Sequence, residues 1–276
     1  MIFYYAPATG FGQIARGVGI CRALRKMGAA CTICAPTSAR WIVEQEGFPW
    51  KPAGHWHPQA EARIYDLLPK FPRQYLKNAP GLDVLVWRPK AESRQLFEFP
   101  YNLILGTCEN VELSAFAQNA GATAVGRVLP RDLAELDPTV AAQWWGNTPT
   151  PQVLVYQAGF NDSEIQILID QVSQARVPYR VVSPYPDLPG VERYWPVIEL
   201  LPAIYLAITG GGWQSRVECL ATGVRQIAVP FPRTTDRQFA TNLDIEHALL
   251  QPAPSMPPQW FDGARRAAQE IISCLT

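Results

Sequence analysis

Twice along this chain an apolar run of strand length ends in a glycine-bearing turn, and the turn opens a stretch with helical periodicity. The first run is Ile2 to Ala6, followed by Pro7-Ala-Thr-Gly10-Phe-Gly12. Beyond it, Ile14, Val18, Cys21 and Leu24 recur at helical spacing to Met27, with Arg22, Arg25 and Lys26 on the other face. The second run is Tyr205 to Thr209, followed by Gly210-Gly-Gly212 and an expected helix over Trp213 to Thr222. A strand that passes directly into a helix returns through a crossover, so it pairs in parallel with its neighbours in a sheet covered by helices. One such junction in each half predicts two α/β domains.

The elements around the junctions follow the same alternation. Ala30 to Ala35 is the next expected strand and Thr37 to Glu46 the next helix. A helix is expected within Gln59 to Lys77, strands at Asp83 to Trp87 and Asn102 to Leu105, and a further strand near Ala122 to Val128. Trp144-Trp-Gly-Asn-Thr-Pro-Thr-Pro151 combines glycine, polar residues and two prolines, so it is read as the boundary between residues 1–147 and 148–276, with a hinge between Trp145 and Pro151. The pattern then restarts with a strand at Val153 to Gln157, a helix at Ser163 to Ala175 and a strand at Tyr179 to Ser183. Gln226 to Pro230 is a late strand and Gln259 to Leu275 the closing helix. The 276 residues suffice for two domains of the common size of ~140 residues each.

Charge and composition remove several function classes. Basic and acidic residues balance at 24 each, so no broad field attracts nucleic acid. No apolar run approaches the ~20 residues that span a bilayer. Met1-Ile-Phe-Tyr-Tyr-Ala-Pro7 has no basic segment and meets proline too soon for a signal peptide. The expectation is a cytoplasmic protein, with peripheral membrane attachment left open. Its six cysteines (Cys21, Cys31, Cys34, Cys108, Cys219, Cys274) are then reduced. Cys31-Thr-Ile-Cys34 has redox-motif spacing, but it falls inside an expected strand and reads as buried structural thiols.

The glycine junctions carry the chemistry. A parallel strand delivers its C-terminal end to the sheet edge where the next helix presents unpaired amides and its positive dipole end, a place suited to phosphate. Glycine lets the backbone approach an oxygen that a side chain would block. Neither junction has the G-x-G-x-x-G or P-loop spacing, which discounts NAD-type and P-loop sites. The second, with three consecutive glycines, is the better anion site.

The residues beyond it carry a resemblance. Thr209-Gly-Gly-Gly-Trp-Gln-Ser-Arg-Val-Glu218-Cys-Leu-Ala-Thr-Gly223-Val-Arg-Gln-Ile-Ala-Val-Pro230 resembles the nucleotide-sugar segment of GT-B glycosyltransferases. Within it, Gly212-Trp-Gln-Ser215 resembles the signature of plant-type UDP-glycosyltransferases. Asp236-Arg-Gln238-Phe-Ala-Thr-Asn242 is similar to a block of the bacterial N-acetylglucosaminyltransferase that makes the peptidoglycan lipid precursor, at a matching spacing. Thr9-Gly-Phe-Gly12-Gln-Ile-Ala-Arg16 resembles the G-H-x-x-R loop of that enzyme and of nucleotide-sugar hydrolases of the pseudaminic acid pathway. Cys108-Glu109-Asn110 is a fainter match to the acceptor-side domain of the peptidoglycan enzyme. The close matches cover residues 9–34 and 207–242; element order extends the likeness over the rest.

The resemblance implies an α/β fold of GT-B type, two Rossmann-like domains with parallel sheets facing a cleft, the acceptor-side domain first and the nucleotide-sugar domain second. It implies metal-independent transfer of a hexosyl or N-acetylhexosaminyl group from a UDP-sugar to an unidentified acceptor, a lipid-linked one among the candidates. The nucleotide-sugar serves as donor substrate and no cofactor is called for. Carried over by position, Glu218 accepts hydrogen bonds from the ribose hydroxyls, and Gly211, Gly212 and the amides of Gln214 and Ser215 hold the diphosphate. Asp236 and Gln238 contact the sugar, and Gly10 and Gly12 face the phosphates or the acceptor.

The chain also departs from the pattern. Many relatives have histidine where Gln13 stands, and an amide can orient a substrate but cannot take up a proton at neutral pH. The histidine expected before the glycines is Gly210, and the aspartate expected before the last strand is Tyr205. Candidates for the missing base are His55 and His57, in a His-Trp-His loop, with Glu109 and Asp236 as acidic substitutes. No further ligands accompany the histidines to make a zinc site. His247 is expected to do packing or surface work in a late helix. Two alternatives to transfer follow: a nucleotide-sugar hydrolase, and a sugar-nucleotide binding protein with little catalysis.

Overall fold

The structure, a computed structural model, describes residues 1–7, 11–66, 79–88, 101–146, 153–156, 162–183, 189–231 and 245–276. In chain order its elements are β1 (Ile2–Tyr5), α1 (Phe11–Lys26), β2 (Cys31–Ala35), α2 (Arg40–Gln45), β3 (Trp50–Pro52), β4 (Ala62–Asp66), β5 (Leu82–Trp87), β6 (Leu103–Gly106), α3 (Ala115–Asn119) and β7 (Thr123–Ala124). They continue with α4 (Pro138–Trp145), β8 (Val153–Tyr156), α5 (Asp162–Gln174), β9 (Tyr179–Val182), β10 (Val191–Glu192), β11 (Leu206–Thr209), α6 (Trp213–Thr222), β12 (Arg225–Ala228), α7 (Ile245–Leu250) and α8 (Gly263–Ser273).

The chain forms two compact units, Met1–Pro130 with Gln259–Thr276, and Arg131–Pro258. This differs from the 1–147/148–276 division read from composition. Residues 147–151 of the expected hinge lie outside the described residues. The helix before them, α4, belongs to the second unit, and the cause is a cation over an aromatic face. Arg180 of β9 sets its guanidinium 3.8 Å from the Trp144 ring centroid, donates to the Trp144 carbonyl and pairs with Glu192. Trp144 and Trp145, read as the start of a linker, end a docked helix.

The first unit is a seven-stranded, all-parallel sheet in the order β3-β2-β1-β4-β5-β6-β7. Strand order reverses between β1 and β4, whose registers on the shared strand run Ile2↔Cys31 on one side and Ile2↔Ala62 on the other. In open α/β sheets that switch point is where ligands settle, beyond the strand C-termini. β4 takes up part of the stretch Gln59 to Lys77, within which a helix was expected; residues 67–77 of that stretch lie outside the described residues. Its Ala-Arg-Ile-Tyr-Asp sequence carries two charges, yet all five residues are buried because the charges are paired. Arg63 grips Asp83 of the adjacent strand with Nε at 2.7 Å and Nη2 at 3.1 Å, and its Nη1 donates to the carbonyls of Pro58 and Pro80 at 2.8 Å each.

The chain end belongs to this unit because α8 packs on α1 through Gly263, Ala264, Ala267, Ala268 and Ile271. The stretch from Gly126 to Leu129 passes close to both helices. A Cβ on Gly19 would stand 2.1 Å from the Leu129 carbonyl oxygen, and one on Gly263 would stand 2.4 Å from that of Gly126. Only hydrogen fits at either place.

The second unit is a five-stranded parallel sheet in the order β10-β9-β8-β11-β12. Val153, Val155, Leu206, Ile208 and Ile227 from its strands pack with Ile165, Leu168 and Val172 of α5. Its order reverses between β8 and β11, so the triple-glycine turn after β11 sits at the switch point of its own sheet.

Candidate functional site

In the second unit the glycine turn joins β11 to α6 with Gly211 at φ +72° and Gly212 as the helix N-cap, without a side-chain cap. The positive φ suits glycine, and a glycine N-cap brings no side chain to cover the first-turn amides of Trp213, Gln214 and Ser215. The turn is braced from below. Thr209 Oγ1 accepts from the Gly211 amide at 3.1 Å and from Gln226 Nε2 at 2.8 Å. Ser215 Oγ donates to the Gly212 carbonyl at 2.8 Å, and the Tyr156 hydroxyl donates to the Ser215 carbonyl at 3.2 Å. Thr209, Gln226 and Tyr156 are supports that motif reading passed over. Their signal was a polar residue at the last position of one strand and within its neighbour.

Glu218 lies on α6 one turn beyond Gln214, whose Nε2 donates to Glu218 Oε1 at 3.2 Å. It is 6% exposed, and burial pushes its carboxyl up to about 7, against the opposing pull of the Gln214 hydrogen bond. The structure thus gathers Gly211, Gly212, Gln214, Ser215 and Glu218 on one strand–helix junction. Its chemistry is that of an anion site with a two-oxygen acceptor beside it. Asp236 and Gln238 lie outside the described residues, as does Gly10.

The first unit has its own junction. α1 begins at Phe11, so Gly12 and Gln13 lie in its first turn and not in a preceding loop. Gln13 is buried and donates from Nε2 to the carbonyl of Asp66, at the end of β4, at 2.7 Å. Arg16, one turn on, holds the Asp66 carboxylate through Nε at 2.9 Å and Nη2 at 2.6 Å, and the Tyr4 hydroxyl donates to the same carboxylate at 2.6 Å. Burial, with Asp66 beside it, holds the Tyr4 phenol well above its ordinary range, so it stays protonated as a donor. Gln13 therefore ties the helix start to the switch point. Gln13→Ala is expected to cost about 1–2 kcal/mol of stability by leaving a buried carbonyl unpaired. A shift in the urea midpoint measures it.

The histidines stand elsewhere. His57 stacks on Phe3, ring centroids 3.7 Å apart, against the face of β1 and not at its C-terminal edge. Its backbone N–H donates to the Tyr5 hydroxyl at 3.1 Å, and its Nε2 is buried without a partner. Burial first, then His55 and Lys51, hold its imidazole below its ordinary range and so neutral. His55 is exposed, its ring 4.7 Å from that of His57. Glu109 follows β6, and its backbone N–H donates to Glu112 Oε2 at 3.0 Å. Tyr205 is exposed beneath Arg225. Cys21, Cys31, Cys34, Cys108 and Cys219 are buried and free, and Cys274 is exposed. Among the described residues no three His, Cys, Asp or Glu side chains converge as a metal-holding group, and no helix is long and apolar enough to cross a membrane.

No protein-family model matches the chain, and no curated protein matches it. Solved structures do. Os79 from O. sativa in complex with UDP aligns at a TM-score of 0.60 and 12% identity, covering 85% of this chain and 82% of that one. UGT89C1 from Arabidopsis thaliana complexed with quercetin aligns at 0.59 and 11% identity over 100% and 95%. The Streptomyces sp. SF2575 glycosyltransferase SsfS6 complexed with thymidine diphosphate aligns at 0.55 and 14% identity over 99% and 95%. At such identities the likeness carries architecture alone: two parallel sheets with helices, and the chain has the GT-B fold.

Proposed function

We propose that this chain is a glycosyltransferase whose second unit binds a nucleoside diphosphate-sugar and whose reaction needs no metal ion. The observation that carries the reading is the α6 junction, a triple-glycine turn at a switch point with a buried glutamate one turn into the helix. The diphosphate rests on the turn at Gly211 and Gly212 and on the amides of Gln214 and Ser215, the Gly211 amide itself being held by Thr209, and both oxygens of Glu218 accept from the ribose hydroxyls. When the sugar–phosphate bond breaks, negative charge gathers on the diphosphate. The helix N-terminus meets that charge with fixed dipoles that need no rearrangement, the part a divalent cation plays elsewhere. Two structural neighbours, in complex with UDP and with thymidine diphosphate, favour a pyrimidine nucleotide.

Melting curves with UDP, dTDP, GDP and their glucose conjugates test the reading, since a ligand held at 100 times its Kd stabilises the native state by roughly 2.7 kcal/mol. UDP or dTDP should raise Tm, and EDTA should leave the shift and any UDP release from UDP-glucose unchanged. No shift with any nucleotide removes the proposal. A second reading, binding without transfer, has one observation in its favour: Gln13 is occupied by Asp66, and His57 is a half-buried ring stacked on Phe3. A nucleotide-induced shift with no UDP release in the presence of acceptors would select it.

A further inference from the structure

Around the ends of β6 and β7, the first unit buries polar atoms that no described residue satisfies. Arg127 follows β7 and is 4% exposed. Its Nη2 donates to Glu112 Oε1 at 2.7 Å, and its guanidinium lies 5.1 Å from the Trp260 ring centroid. Its Nε and Nη1, on either side of the engaged nitrogen, are buried without hydrogen-bond partners. Glu109 Oε1 is buried without a partner as well. The two residues belong to one cluster: Glu112 bonds Arg127 through one oxygen and the Glu109 backbone through the other. Gly126, at φ +86°, lies against Glu109. A Cβ there would stand 3.2 Å from Glu109 Oε1 and 3.1 Å from the Trp260 carbonyl oxygen. Unpaired buried donors and acceptors cost about 1–3 kcal/mol each, and native proteins hold few of them. Here donors and an acceptor occur together.

We propose that Glu109 and Arg127 form a binding site for a neutral ligand hydroxyl. An anion drawn to Arg127 would meet Glu109 and Glu112, and a cation drawn to the glutamates would meet Arg127. A hydroxyl satisfies both sides, donating its proton to Glu109 Oε1 and accepting from the guanidinium N–H groups. On the transferase reading, which supplies only the ligand's identity, the hydroxyl is the acceptor's, and Glu109 is the group in contact with its proton. An internal water has the same hydrogen-bonding chemistry, so the test separates the two sources.

The probes are phenol and anisole, which share the aryl oxygen but of which only phenol can donate a proton, titrated into the 276-residue chain with UDP binding measured in parallel. Phenol should bind about tenfold more tightly than anisole, the yield of a hydrogen bond to a charged group. Glu109→Gln, close in shape, and Arg127→Met should each erase that preference and leave the UDP Kd unchanged. The phenol oxygen should lie between Glu109 and Arg127 in a crystal soaked with the probe. Equal binding of phenol and anisole by the parent overturns the site, as does a preference that survives Glu109→Gln. A water that keeps its place in the soaked crystal overturns it too and assigns the cluster to internal hydration. Loss of UDP binding by the parent would count against the transferase reading alone, because the phenol comparison does not depend on it.

Discussion

Glu218→Gln is expected to make the ligand-free protein more stable at pH 8 while weakening its hold on UDP-glucose. The carboxyl's folded value of about 7 stands above its ordinary 4.5 because burial penalises the charged form. Below pH 4.5 it is protonated in both states and costs nothing. Between 4.5 and about 7 the unfolded chain releases the proton that the folded chain keeps, so the parent loses stability as pH rises, and above that window the loss is complete. The full penalty is about 3 kcal/mol, and the amide, which cannot ionise, escapes it. Stability curves of parent and variant should therefore meet near pH 4.5 and separate towards pH 8.

Affinity should move the other way. One amide oxygen replaces two carboxylate oxygens beneath the ribose hydroxyls, a loss of about 1.5–3 kcal/mol or roughly tenfold to a hundredfold in Kd. The parent's affinity for UDP-glucose, whose diphosphate diester does not titrate near neutrality, should also rise with pH up to about 7 as Glu218 ionises. A variant that gains stability at pH 8 and binds UDP-glucose as the parent does would leave Glu218 a misplaced core residue. The ribose would then need another carboxylate.

The pairing of gained stability with lost affinity also bears on what the sequence could reveal. The α6 junction was legible because its residues act locally. Three glycines after a strand, a helix of ordinary periodicity and a glutamate at fixed offset need no distant partner to be recognised, and the helix forms over Trp213–Thr222 as expected. The first junction was legible in its elements but not in its roles. Gln13 and Arg16 take their meaning from Asp66, 53 and 50 residues away, and no spacing rule announces that contact. β4 was hidden for the same reason, since Arg63 and Asp66 look like surface charges until Asp83 and Arg16 are found beside them. The unit boundary was hidden by aromatic docking. Trp144 and the last helix belong with residues far along the chain, and composition records only that glycine and proline lie nearby. The Glu109–Arg127 cluster needed the fold to join the loop after β6 to the segment after β7.

The largest expected loss of stability is for Asp66→Ala. Asp66 is 0% exposed and Arg16 is 3% exposed, so removing the carboxylate takes a buried acceptor from a guanidinium and a phenol. Breaking such a pair by deleting one partner costs about 3–5 kcal/mol, more than the pair itself contributes, because the survivor keeps its desolvation penalty. That asymmetry gives the test its shape. Arg16→Met alone should be costly for the same reason in reverse. The double variant should be less destabilised than the sum of the two by about 1–3 kcal/mol, since neither charge is then left behind. Urea unfolding of the four proteins completes the cycle. Additive losses would mean that Arg16 and Asp66 are each solvated by something else, and the ion pair would not be what anchors α1 to the switch point. Where the single variants remain folded, their UDP Kd should equal the parent's, because on the proposed reading the diphosphate and ribose contacts lie in the other unit. A fall in UDP affinity that tracked the stability loss would instead show that the start of α1 takes part in holding the nucleotide.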